Sequence, residues 1–429
     1  MYASEIAYQN PELISSMQEE KLQELMRYLQ QHSPFYREMF AASGIDPLQV
    51  KKLGDLAALP VTNKEDLQRR NWDFLCVDRN RIAEYVASSG TLGTPVTIAL
   101  TANDLDRLAY NEYCSFTMAG GSENDIYQLM LTLDRQFMAG IAYYLGIRRL
   151  GAGLVRVGPG APFLQWETIK RLSPTVIIGV PSFIVKLIEY AESAGIDLNL
   201  SSVTTAICIG ESIRSADNRL NLLGQRISSA WNIRLVSTYA STEMQTAFTE
   251  CPEGAGGHLN PELLIVELLN ENNNPVGPGE EGEVTITTLG VEGMPLLRYK
   301  TGDICRFHGE PCKCGRKTPR LSSVIGRKQQ MIKLKGTTFY PPMLYEVLHE
   351  ISEVKDYVVE LKSNEWGTDE VFLHLHVTRE DESVLQKIRE LLRSRLRVIP
   401  DIRIVSGSEL HQLQFPEGGR KAQKLIDNR

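Results

Sequence analysis

The chain runs to 429 residues, 42% hydrophobic and 23% charged, with a formal net charge of -7. That length exceeds a single core and predicts two or three domains, while an acidic balance without a basic stripe argues against a nucleic-acid partner. The opening MYASEIAYQNPELISSMQEEK has no apolar signal-like run, and the apolar segment 175–180 falls far short of the roughly 20 residues that span a bilayer, so a cytoplasmic enzyme without membrane contact is expected. Seven cysteines in this length do not make a secreted disulfide framework.

Near the start, Leu22, Leu25, Met26 and Leu29 share one helical face, and Pro34 breaks the run. Pro60 with Thr62-x-x-Glu65 announces another helix, Thr62 capping and Glu65 reaching back. Residues 85–88 and 96–100 read as strands around Ser88-Ser89-Gly90-Thr91-Leu92-Gly93-Thr94-Pro95, a row of hydroxyls and glycines without charge. Glycine permits close backbone approach, and successive amides with hydroxyls cradle anionic oxygens, so the loop suits phosphate; the plainer reading is a hairpin turn.

From 104 to about 249, short buried-type strands at 126–131, 175–178, 205–209 and 233–237 alternate with helical periodicity at 182–193 and 213–226. That alternation predicts an α/β sheet. Segments 263–269 and 283–288, split by NENNNPVGPGEEG, change to β-hairpin texture. Beyond Gly326, a helix at 340–351, strands at 356–361 and 371–377, a helix at 383–396 and a strand at 402–405 compose a small α+β domain. The expected domains are 1–326 and 327–429.

No GxxxxGK[ST] is present, and Gly151-Ala152-Gly153-Leu154-Val155-Arg156 lacks the third glycine of a dinucleotide fingerprint and reads as a turn. Four stretches place polar groups beside strand ends or at the small domain's start. They are Ile209-Gly210-Glu211-Ser212, Tyr239-Ala240-Ser241-Thr242-Glu243, Tyr299-Lys300-Thr301-Gly302-Asp303, and Gly326-Arg327 followed by Lys333-Leu334-Lys335-Gly336. Separately, Cys251-x6-His258 and Cys312-x-Cys314 compose a Cys₃His set for a structural zinc, with Cys305 and His308 as reserve ligands. Cys76, Cys114 and Cys208 stand alone in apolar contexts and read as core.

In this order and spacing the four stretches, with SSGTLGTP, resemble the adenylate-forming superfamily of acyl-CoA synthetases, and within it the phenylacetate–CoA ligase family. SPFYREMF near the start and RKAQKLID near the end match its style. The resemblance implies a large N-terminal multi-sheet α/β domain with a small mobile C-terminal α+β domain. It implies a ligase that joins a carboxylic acid to ATP, releasing pyrophosphate, and then exchanges AMP for coenzyme A, with Mg²⁺ required. Bringing a carboxylate against a phosphate is electrostatically opposed by about 4 kcal/mol for unit charges about 4 Å apart at an effective dielectric near 20. Such a site must neutralise and position both partners.

Carried over residue by residue, Ser88, Ser89, Gly90, Thr91, Gly93 and Thr94 would grip the β- and γ-phosphates, Glu243 would hold Mg²⁺, and Thr242 the α-phosphate. Tyr239 would stack near adenine, Asp303 would accept the ribose hydroxyls, and Arg327 would touch ribose or phosphate. Gly210 and Glu211 would border adenine and the acyl pocket. Ser212, Ala240, Ser241, Lys333 and Gly336 belong to the same nucleotide-binding stretches. Lys421 is the expected catalytic cation and Lys424 its reserve, because Arg420 stands where the family has glycine. Gln329 falls at the expected hinge, and Val96 replaces the lysine many relatives carry after the loop proline. Phe137 and Tyr143 are the substrate-pocket candidates, and an arylacetic acid is the expected substrate. A second enzymatic reading is an adenylyl transferase with another acceptor, a non-enzymatic one is a silent nucleotide sensor, and a homodimer is possible.

Overall fold

The computed structural model describes residues 5–88, 96–334, 337–365, 369–416 and 422–429. The chain divides into two compact units, Met1–Val324 and Ile325–Arg429.

In the first unit, Gly153–Arg156, Ile126–Leu129, Val176–Gly179, Thr205–Cys208 and Arg234–Ser241 lie side by side and parallel. The middle strands Val176–Gly179 and Thr205–Cys208 are buried throughout because helices cover such sheets on both faces. The sheet continues antiparallel through Thr246–Glu250, Gly257–His258, Arg320–Leu321, Tyr299–His308, Glu281–Thr288 and Leu264–Leu269. Thus the βα alternation and the later hairpin texture meet in one sheet. A separate antiparallel pair, Ile82–Ala87 with Thr97–Thr101, flanks the hydroxyl-rich stretch.

Helix Pro11–His32 starts at Asn10, whose side chain accepts from Leu13 N, and buries Leu22, Leu25, Met26 and Leu29. Pro34 ends that run and opens the next helix, Pro34–Ser43, under a Ser33 cap. Two local expectations are corrected. The third helix is Lys64–Arg70, and its reciprocal box is Asn63 with Asp66, one residue later than Thr62 and Glu65. Thr62 is instead a bridge partner of Tyr299 and donates its hydroxyl to Leu297 O. The helix expected at 213–226 begins only at Leu222, capped by Asn221. Ser212, Ser215 and Asp217 bond to nearby backbone and hold 212–220 as a loop, a competition these residue types win readily. The reading of GAGLVR as a turn holds only for Gly151 and Ala152, which end helix Met138–Leu150; Gly153–Arg156 is a strand of the parallel sheet.

The second unit has a sheet in the order Asp401–Ile404, Asp369–Val377, Val354–Ser363, Leu425–Asn428, antiparallel at its centre and parallel at both sides. Helices Pro341–His349 and Glu382–Leu396 supply Leu344, Val347, Ile388 and Leu392 to its core. Helix Gly407–Gln414 and strand Leu425–Asn428 were not anticipated, since a short polar helix and a basic-flanked four-residue strand carry little periodicity.

Candidate active site

Three of the four motif stretches lie in or directly after strands of the first unit's large sheet. Gly210, Glu211 and Ser212 follow Thr205–Cys208, and Tyr239, Ala240 and Ser241 finish Arg234–Ser241. These ends point the same way as those of the neighbouring parallel strands, the edge at which open α/β sheets hold ligands. Glu211 receives hydrogen bonds at 2.9 Å from both Ser182 N and Ser182 Oγ, placing a carboxylate at the N-terminus of helix Pro181–Ser193. Ser212 Oγ donates to Arg214 O at 2.7 Å, so its hydroxyl serves the loop.

Asp303 is presented by a bulge. Opposite Val284, the pairing of Glu281–Thr288 with Tyr299–His308 slips between Glu283–Ile304 and Thr285–Lys300. Gly302 takes φ +80° there, a conformation glycine adopts without strain. Thr301 Oγ donates to Val284 O at 2.9 Å and accepts from Asp303 N at 3.2 Å, fixing the kink. The Asp303 carboxylate then accepts the Tyr239 hydroxyl at 2.8 Å, while the Tyr239 ring stacks on Phe248 with centroids 5.7 Å apart. Burial, followed by the Asp303 charge, holds the Tyr239 hydroxyl well above its ordinary pKa, so it stays a donor.

Thr242 and Glu243 occupy the connection between Arg234–Ser241 and Thr246–Glu250, where Met244 N donates to Ser241 Oγ at 3.2 Å. Glu243 is buried. Burial, then the charges of Glu243, Glu65 and Asp303, raise the Tyr299 hydroxyl far above its usual range. Phe248 was not singled out from the sequence, and Tyr299 and Thr301 entered only as members of the Tyr299–Asp303 stretch without roles of their own, because each looks like an ordinary strand residue until the sheet pairs its segment.

The neck of the hydroxyl-rich stretch is closed by Ser88 N donating to Val96 O at 2.9 Å and Val96 N donating to Ser88 Oγ at 3.1 Å. Ala87 N donates to Gln136 O at 2.9 Å, bringing segment 132–137 against it. Ser89, Gly90, Thr91, Gly93 and Thr94 lie outside the described residues. Phe137, just before helix Met138–Leu150, is 38% exposed. Tyr143 is buried and packs against Phe116, as a core aromatic does.

In the second unit the Arg327 side chain is exposed; so is that of Lys333, whose backbone N–H donates to Asp369 Oδ2 at 2.7 Å. Gly336 and Lys421 lie outside the described residues. Lys424 pairs with Asp356 and lies over the Tyr357 ring at 4.6 Å.

Cys251, His258, Cys312 and Cys314 converge with all four ligand atoms within 4.8 Å of one another. Cys251 Sγ lies 3.6 Å from Cys312 Sγ, and Cys314 Sγ lies 3.4 Å from His258 Nε2. His258 Nδ1 is 3.3 Å from Thr318 Oγ, leaving Nε2 to face the sulfurs. Burial, helped by Arg316 and Arg320, depresses His258 to about 3, so the imidazole is neutral at ordinary pH. Burial pushes Cys251 up to about 12, whereas at Cys314 burial is outweighed by hydrogen bonds from Arg316, Cys312 and Cys251, and that thiol falls below its usual value. The reserve pair stands elsewhere: Cys305 is buried in the core, and His308 Nε2 meets Asn218 Nδ2 at 3.0 Å.

Among the described residues no helix is long and apolar enough to cross a membrane. Residues 41–293 match the family model described as AMP-binding enzyme. The chain is 29% identical over 434 residues to the phenylacetate-coenzyme A ligase of Thermus thermophilus, covering 100% of this chain and 93% of that protein. The Escherichia coli phenylacetate-coenzyme A ligase is 26% identical, with 97% and 95% covered. Among solved structures, 2-hydroxyisobutyryl-CoA ligase with an adenylate in the postadenylation state superposes with a TM-score of 0.83 at 21% identity, over 97% of this chain and 89% of that one. With its family model matched over more than half the chain and its nucleotide motifs gathered on strand ends, the chain belongs to the AMP-binding enzymes, as an AMP-forming acid–thiol ligase similar to the phenylacetate-coenzyme A ligases.

Proposed function

We propose that this ligase activates an arylacetic acid as its acyl-adenylate and passes the acyl group to coenzyme A, releasing AMP and pyrophosphate. The observation that carries the reading is the match to phenylacetate-coenzyme A ligases along the whole chain. The geometry supports a division of labour. Asp303, held out by its bulge and oriented by Tyr239, accepts the ribose hydroxyls of ATP; the Tyr239 ring, backed by the buried Phe248, offers the apolar wall for adenine. Thr242 binds the α-phosphate. Ser88 through Thr94 surround the outer phosphates with neutral donors. Phe137, exposed beside the neck of that stretch, lines the acyl pocket.

Glu243 is a buried hard oxygen donor of the kind that holds Mg²⁺ together with substrate phosphates, and the ion would supply charge neutralisation there when bound. Lys421 supplies the cation that brings carboxylate and α-phosphate together. Lys424, already paired with Asp356, serves as an anchor of its strand. The two units divide the work: the first binds nucleotide and acid, and the second carries Lys421.

The Cys₃His cluster fits a structural zinc. Tetrahedral Zn–S bonds of about 2.3 Å and Zn–N bonds of about 2.0 Å require S···S of about 3.8 Å and S···N of about 3.5 Å. The corresponding separations are 3.6 and 3.4 Å, and Thr318 orients the imidazole.

The test is a pyrophosphate-release assay with a panel of carboxylic acids, with and without coenzyme A. Arylacetates should release pyrophosphate, and thioester should form only with coenzyme A. Pyrophosphate without thioester would establish transfer to another acceptor, and no acid-dependent pyrophosphate would establish a sensor.

A further inference from the structure

Helix Ala102–Met118 carries a polar stripe, Asp104, Arg107 and Asn111, at the spacing of one helical face. Such a stripe ordinarily faces water. Here all three residues are buried, Arg107 and Asn111 completely. Burial of a guanidinium is tolerable only when its donors are met, and Arg107 meets them on three segments distant in sequence. Nη1 donates to Gln245 O at 2.8 Å, Nη2 to Leu263 O at 2.7 Å and Thr246 Oγ at 3.2 Å, and Nε to Leu289 O at 2.8 Å.

Its neighbours extend the grip. Asn111 Oδ1 accepts from Ala247 N at 3.3 Å and from Asn260 Nδ2 at 3.0 Å. Asp104 accepts from Glu292 N at 2.7 Å and Gly293 N at 2.8 Å. One of the segments gripped is the one leaving Glu243: Gln245 sits in the left-handed region at φ +50°, unusual for a side chain of its size, with its carbonyl on Arg107.

We propose that Arg107 is a positioning residue for the nucleotide–metal site, holding the 242–246 connection so that Thr242 and Glu243 meet the α-phosphate and Mg²⁺. The inference rests on the assignment of Glu243 to Mg²⁺ made above. A planar fork with fixed donor directions suits several carbonyls at once, and lysine, a single ammonium, cannot reproduce it. Loss of the fork relaxes the connection without removing a ligand, so metal and nucleotide dependence move while the carboxylic-acid site, built from other segments, stays in place.

The experiment compares Arg107→Lys, Thr246→Val and Glu243→Gln with the parent enzyme in pyrophosphate release, titrating Mg²⁺, ATP and acid separately. Arg107→Lys should raise the Mg²⁺ half-saturation and the KM for ATP by roughly tenfold while the acid KM stays within about twofold; Thr246→Val should shift the same two parameters by less, about two- to threefold. Combined with Glu243→Gln, the Arg107→Lys shift in Mg²⁺ dependence should largely vanish, because the group it positions is gone. If folded Arg107→Lys keeps parental Mg²⁺ and ATP dependence, or if every parameter falls in proportion, the positioning role is overturned. Should Arg107→Lys fail to fold, Thr246→Val decides by the same split. Unchanged Mg²⁺ dependence in Glu243→Gln itself refutes the metal assignment instead, whatever Arg107 does.

Discussion

Glu112 offers the sharpest stability test. It sits on helix Ala102–Met118 facing Gly146, where a Cβ would stand 2.2 Å from the Glu112 Cβ, so the two helices meet with no room for water. Asn111 Nδ2 donates to Oε1 at 3.0 Å, and Oε2 has no partner. Burial raises the carboxyl from 4.5 to about 8, only partly opposed by Asn111.

The sign follows from proton counting. Below about pH 4.5 both folded and unfolded chains hold the proton; up to about 8 only the folded chain does, so stability falls as pH rises through this window. Each pH unit removes about 1.4 kcal/mol, and the whole interval is worth about 5 kcal/mol as an upper limit. Glu112→Gln keeps the shape and accepts the Asn111 bond but cannot ionise. It leaves one amide donor buried, a pH-independent cost of about 1–3 kcal/mol. Urea unfolding of both proteins from about pH 5 to about pH 8.5 should start with the variant slightly weaker and end with it stronger, the crossing produced entirely by the parent's decline. Parallel stability curves for the two proteins would refute the burial argument.

Other outcomes follow from the sites. Lys421→Ala should abolish acid-dependent pyrophosphate release while ATP binding, measured by calorimetry, persists; a normal rate of adenylation would remove Lys421 from the reaction. Tyr239→Phe deletes one hydrogen bond to Asp303 and should raise the KM for ATP about fivefold, equivalent to about 1 kcal/mol, with little change at the acid site. The purified chain should contain zinc in a one-to-one ratio by elemental analysis, and chelation or Cys312→Ser should lower its melting temperature by several degrees. Metal-free protein melting like the parent would exclude a structural zinc.

Much of the fold was legible locally. Apolar runs of strand length alternating with amphipathic helices announce an α/β sheet because each strand must be covered on both faces, and Pro34 marks a helix limit by chemistry that needs no distant partner. Where local chemistry competed, the reading slipped: Asn63 outdid Thr62 as a cap, and the Ser- and Asp-rich 212–220 bonded to itself instead of forming helix.

The motif order alone determined the family and nominated Thr242, Glu243 and Asp303, since those residue types recur wherever that chemistry is done. Tertiary structure alone decided how they are held. The bulge that presents Asp303 exists only because Tyr299–His308 slips against Glu281–Thr288, and the stripe of Asp104, Arg107 and Asn111 becomes a buried clamp only when segments 245–247, 260–263 and 289–293 close over it. Hydrogen bonds between residues more than a hundred positions apart leave no periodic trace in a chain, so a helical polar face reads as solvated until the partners that desolvate it are in place.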